Sequence, residues 1–154
     1  MIDIVHVHPM LVHFPIVLYL LAVGLQILIL LRRGDLAANR CLPNTAFAAL
    51  MLAALAASVA AFFGDIALDH AVALGFPSAP LEVHANLGIT TTTFMIIMAA
   101  VHLSARWFRW RLGGLHGWLL TLGAVAGALL LIITVYHGGN LVYQIGVNVH
   151  GITP

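Results

Sequence analysis

The sequence predicts an all-α integral membrane protein, a four-helix up-and-down bundle with both termini on the periplasmic side. Three observations predict it. Of the 154 residues, 62% are hydrophobic and 7% charged, too little charge to cover a soluble domain of this size. Apolar runs of about 20 residues recur along the chain, each long enough to cross a hydrocarbon core of roughly 30 Å. The basic residues are all arginines and are confined to two of the connecting stretches.

The first span is expected over 9–31, with Pro9 in a tolerated first-turn position. Pro15, inside the first two turns, predicts a local kink near His13. Met1–Pro9 carries no Lys or Arg, and the apolar run ends at Arg32–Arg33, so a cleaved signal peptide is not expected. The connection that follows, 32–43, holds Arg32, Arg33 and Arg40. The second span, 44–64, is dense in alanine, which permits close helix approach. The stretch 65–80 is acidic, punctuated by Pro and Gly, and free of Arg. A third span is expected over 81–105, where Thr90–Thr93 should bond back to their own helix or pack on a neighbour.

The next connection, 106–114, contains Arg106, Arg109 and Arg111 beside Trp107 and Trp110. With Trp118 these tryptophans read as an interfacial anchor. The fourth span, 115–136, carries Gly123 and Gly127 at a spacing that favours close helix packing. The tail should leave the helix at Gly138-Gly139. The chain is thus a single transmembrane domain over 1–154.

By the positive-inside rule the two arginine-bearing connections are cytoplasmic, which places the chain as a multi-pass protein of a bacterial inner membrane. Asp3, Asp65, Asp69 and Glu82 then face outward. A net charge of +1 offers no basic footprint for nucleic acid. Cys41 is the sole cysteine and no Cys-x-x-Cys-His occurs, so disulfides and covalent c-type haem are not supported.

Nine histidines against no lysine is the compositional outlier. Topology sorts them: His6, His8, His13, His70, His84, His137 and His150 belong to the outer boundary, His102 and His116 to the cytoplasmic one. Counting about 20 residues from each cytoplasmic helix end brings His13, His84 and His137 to one depth. Ionisable residues at membrane depth are costly and tend to face the bundle interior. Neutral imidazole ligates iron, copper or zinc without any charge.

Diagonal helices of such a bundle leave more room for a porphyrin than directly packed ones, which stand about 8–10 Å apart. The first and third spans are diagonal, so His13 and His84 are the expected axial pair for one haem b. His8 and His137 surround that site, and Asp65 is placed to fix a histidine tautomer. His8 stands about 140° around a regular helix from His13, so the two cannot share one inward direction. Interfacial histidines also serve as wetted side chains bonded to loop backbone, and His6, His70 and His150 are read that way. His84 and His102 lie on one helix face, about 27 Å apart. A second haem would have to use His102 with His116.

The stretch His8-Pro9-Met10-Leu11-Val12-His13-Phe14-Pro15-Ile16 resembles the H-P-x-x-V-H-F-P-I signature of a prokaryotic family of predicted membrane proteins, domain of unknown function 2231. Gly64-Asp65, His84-Ala85-Asn86 and Gly138-Gly139-Asn140-Leu141-Val142-Tyr143, followed by Gly146-Val147-Asn148-Val149, fit its pattern in order. The sequence departs from it at Ile66, where Trp often follows the Asp, and at Gln144-Ile145, where an Arg-His pair is common. The resemblance implies a b-type-cytochrome-like role in electron transfer, because relatives resemble membrane parts of redox systems. Some are joined to Rieske-type iron–sulfur or cytochrome c domains. It also implies site roles for His8, His13 and His84, with Asn86 beside them.

The expected function is therefore electron transfer between the quinone pool and a periplasmic cytochrome c or iron–sulfur protein. Homo- or hetero-oligomers are compatible with it, and substrate chemistry is expected to belong to a partner subunit. Copper or other divalent-metal handling by the outer histidines is the alternative, although the scarcity of methionine there disfavours copper(I). A structural subunit without cofactor is the third reading.

Overall fold

The computed structural model describes residues 6–149; Asp3 and His150 lie outside them. Five helices follow in order: α1 (Val7–Leu11), α2 (His13–Leu31), α3 (Cys41–Ala73), α4 (Ser78–Trp107) and α5 (Gly114–Tyr143). Together α1 and α2 form one apolar span, and with α3, α4 and α5 they give four helices long and apolar enough to cross a membrane. The α1–α2 junction falls at Val12. Pro15 explains it, since it has no N–H to give the carbonyl four residues back. The break falls beside His13, where a local kink was expected, while Val12 keeps right-handed helical angles.

Neighbours in sequence pack side by side, and α2 also packs on α5. Among the described residues no backbone contact joins α2 to α4 or α3 to α5, so these pairs are the diagonals of the bundle. The central core is built from Tyr19, Ala22, Leu50, Ala53, Met95 and Ala124. Alanine dominates the α3 face, and it lets α2 and α4 approach closely. Gly127 serves the same end on α5: a Cβ there would run into the Tyr19 hydroxyl and come 2.6 Å from the Phe94 ring. Thr90 and Thr91 bond back to Asn86 O and Leu87 O as expected, and Thr91 also meets Thr134 Oγ1 of α5 at 2.8 Å.

Two boundaries differ from the sequence expectation. The second helix does not stop at Gly64; its 33 residues continue to Ala73, about 50 Å of helix against a hydrocarbon core of roughly 30 Å. The last helix does not leave at Gly138-Gly139 but runs on to Tyr143. The cause is a separate apolar cluster beyond the main core. Ala71, Phe76, Leu81 and Leu141 pack together there, with Leu68, Ile145 and Val147 against them. Burial at that cluster outweighs the helix-breaking tendency of two glycines. Helix α3 ends instead at Gly75, which takes φ +92° while Phe76 N–H bonds to Ala71 O at 3.2 Å, a Schellman closure.

The arginine end is tied down by two residues. Arg106 of α4 donates to Asn44 Oδ1 at 2.8 Å and Pro43 O at 2.7 Å, and lies 4.4 Å over the Phe47 ring. Asp35 Oδ1 accepts from Ala37 N and Leu112 N, each at 2.9 Å. The two arginine-bearing connections thereby meet through backbone as well as side chains. Trp107, Trp110 and Trp118 are all exposed at this end, as interfacial anchors should be.

Candidate functional site

At the opposite, histidine-bearing end, the His8 ring of α1 meets the His84 ring of α4 edge to face. Their centroids are 6.2 Å apart and the planes 77° from each other. The helices that carry them make no backbone contact, so the imidazoles reach toward each other across the bundle. Each ring is held by one hydrogen bond to a main-chain carbonyl. His8 Nδ1 lies 2.8 Å from Ala60 O on α3, and His84 Nδ1 lies 3.2 Å from Thr134 O on α5. A carbonyl oxygen only accepts, so in both rings Nδ1 carries the proton. In a neutral imidazole that leaves Nε2 with its lone pair free.

The other two corners carry glycine at this level. A Cβ on Gly64 of α3 would stand 3.0 Å from His8 Cε1 and Nδ1, and one on Gly138 of α5 would stand 2.8 Å from His84 Cε1. Histidine therefore faces histidine on one diagonal, while glycine occupies the flanking helices. Any side chain at either glycine would fill the space beside an imidazole.

His13 is not part of this arrangement. Its side chain is exposed on the outside of α2, and His8 takes the place expected for it. His8 is half-buried and His13 exposed, in keeping with two side chains that do not share one inward direction. Counting depth along each span pointed to His13, whereas the ring that lies beside His84 is that of His8. Ala60 and Gly64, both inside the span expected for α3, seat His8.

His137 is half-buried, 5.8 Å from the Tyr136 ring, and within electrostatic reach of His84. Asp65 and Asn86 have exposed side chains; the carbonyls of Ala60 and Thr134 do the tautomer-fixing expected of Asp65. His6 and His70 are exposed, in keeping with wetted side chains. At the arginine end, His102 is buried with Nε2 unpartnered, whereas His116 is exposed in a surface cleft. The arrangement gives that pair no common interior position.

A family model described as DUF2231, predicted membrane protein, matches residues 5–151. The chain belongs to the DUF2231 family. No curated protein and no solved structure matches it. In this DUF2231 chain the motif residues His8, Gly64, His84 and Gly138 sit on four different helical segments, with Gly64 against His8, His8 facing His84, and His84 against Gly138. Sequence reasoning took the glycines as helix ends or close-packing sites and missed that they seat imidazoles. Spacing alone could not link Gly64 to His8, which lies 52 residues from its own carbonyl partner Ala60.

Proposed function

We propose that this DUF2231 protein is a membrane haem-b electron carrier in which His8 and His84 ligate one iron through Nε2. The reading rests on the pair itself. Two imidazoles sharing one metal at about 2.0–2.1 Å each have ring centres a little over 6 Å apart, and the separation here is 6.2 Å. Ligating histidines almost always donate the other ring N–H to a carbonyl or carboxylate, which fixes orientation and raises ligand basicity. Ala60 O and Thr134 O fill that role for both rings. Gly64 and Gly138 let the backbones of α3 and α5 lie directly against the two rings, which seats both imidazoles.

Haem held there supplies reversible one-electron storage. The chain's own residues position the two nitrogens, fix their tautomers and exclude bulk water with the outlying apolar cluster. By the positive-inside rule the site belongs near the periplasmic face. There it would pass electrons between the quinone pool and a periplasmic cytochrome c or iron–sulfur partner. His13 is not a ligand in this proposal, and His137 stands nearby without touching the pair.

The direct edge-to-face contact of the rings favours one second reading, a bare copper or other divalent ion on the same two nitrogens. Among the described residues no group of three or more His, Cys, Asp or Glu side chains could hold a metal, which ranks that reading below haem. The test is to purify the protein from cells well supplied with haem, then record oxidised and dithionite-reduced visible spectra beside a metal analysis. A sharp reduced α-band, lost in His8→Ala and His84→Ala but kept in His13→Ala, is the expected result. Colourless protein carrying stoichiometric copper or zinc replaces haem with the second reading. Protein with neither removes both.

A further inference from the structure

At the arginine end, a cleft of about 300 Å³ opens between the two arginine-bearing connections. Its floor is fixed backbone. Asp35 and Gly113 pair as a β-bridge, Leu36 N–H bonds to Leu112 O at 3.1 Å, and a Cβ on Gly113 would come within 3.3 Å of Gly34 O. Its walls carry Arg33, Arg111 and His116. The one carboxylate present, Asp35, has Oδ1 committed to two backbone amides. Its Oδ2 lies 3.7 Å from Arg111 Nε, which leaves both Nη groups of that arginine free of it. Two guanidinium groups against one largely committed carboxylate give the cleft a net positive charge.

Arg33 is held there at a conformational cost. It takes φ +53° at the end of α2, a left-handed position usually given to glycine, although Gly34 is the next residue. That φ closes α2, with Gly34 N–H bonded to Ile29 O at 2.8 Å, and it fixes where the Arg33 side chain starts.

We propose that this cleft binds the phosphate of an anionic phospholipid headgroup. Basic pockets between transmembrane helices are suited to such groups, and arginine matches phosphate through its planar fork of donors. The setting argues for lipid over a soluble phosphate compound. Arg33 follows the last apolar turn of α2, His116 lies in the first turn of α5, and exposed Trp107, Trp110 and Trp118 mark the same level as the membrane interface.

The test uses the full chain in detergent, with thermal stability and native mass spectrometry as readouts. Phosphatidylglycerol is expected to raise the melting temperature and to remain bound, whereas phosphatidylcholine and inorganic phosphate do neither. Loss of one arginine, in Arg33→Ala or Arg111→Ala, should weaken apparent affinity about fivefold, and loss of both about thirtyfold. Arg40→Ala, a charge-matched change outside the cleft, should leave it unaltered. Arg33→Gly guards against misfolding as an explanation: it relieves the left-handed strain, so lipid-free protein should be at least as stable while the lipid response falls. An unchanged response in the double variant, or an equal response to phosphatidylcholine, overturns the proposal. An equal response to inorganic phosphate overturns the assignment to lipid.

Discussion

Substituting Gly138 by alanine tests the geometry of the histidine pair without reference to any cofactor. The added Cβ would lie 2.8 Å from His84 Cε1, where ordinary contact begins near 3.4 Å. The difference, 3.4 − 2.8, means the ring or the helix must yield by about 0.6 Å. The ring has little freedom, because its bond to Thr134 O is already 3.2 Å long. A shift of that size breaks it.

Overpacking costs about 1–3 kcal/mol, and the lost hydrogen bond about 0.5–1.5 kcal/mol. Alanine in a helix returns about 0.8–1.0 kcal/mol relative to glycine. The net expectation is destabilisation of about 0.5–3.5 kcal/mol. The adjacent Gly139 supplies the control, since nothing stands within 4 Å of a Cβ there. Gly139→Ala should be neutral or stabilising by up to about 1 kcal/mol. Both changes have the same chemistry and helix, one residue apart, so the comparison isolates the imidazole. Thermal unfolding of the two variants in the same detergent measures it, with Gly138→Ala melting several degrees lower. Equal melting temperatures, or a more stable Gly138→Ala, would show that His84 does not rest on α5 as described.

Three further outcomes are expected. Gly127→Ala should destabilise the bundle by about 1–3 kcal/mol through collision with Tyr19 and Phe94. Adding Tyr19→Phe should recover part of that loss in a double-mutant cycle of melting temperatures, because the colliding hydroxyl is removed. Asp35→Ala strips the acceptor from Ala37 N and Leu112 N; a cost of about 1–3 kcal/mol and faster amide exchange at Leu112 should follow. His13→Ala, altering an exposed side chain, should leave stability within about 0.5 kcal/mol, measured by the same melt.

The spans were legible because each apolar run had to be long, and because the arginines cluster in alternate connections. What the chain does beyond hydrocarbon depth was not. Asp65, Asp69 and His70 look like loop chemistry, yet Leu68 and Ala71 carry α3 onward to the outlying cluster. Gly138-Gly139 looks like a helix stop, yet the helix continues through it and Gly138 is a seat for His84. His84 was correctly directed inward by its depth on the third span. His8 was placed in the shell around the site because depth was counted from a membrane edge, whereas its protein neighbours, Ala60 and Gly64, bring it beside His84. His102 shows the same limit from the other end. Its burial in a tightly packed bundle, apart from exposed His116, depends on helix rotation that spacing does not encode.

The account stands on His8, and not His13, sharing the bundle centre with His84. Thiol pairs placed in a Cys41→Ser background and treated with a short thiol-reactive bridge in native membranes address this directly. His8→Cys with His84→Cys is predicted to form an intramolecular cross-link, while His13→Cys with His84→Cys stays unlinked. Efficient linking of the second pair together with failure of the first would contradict it.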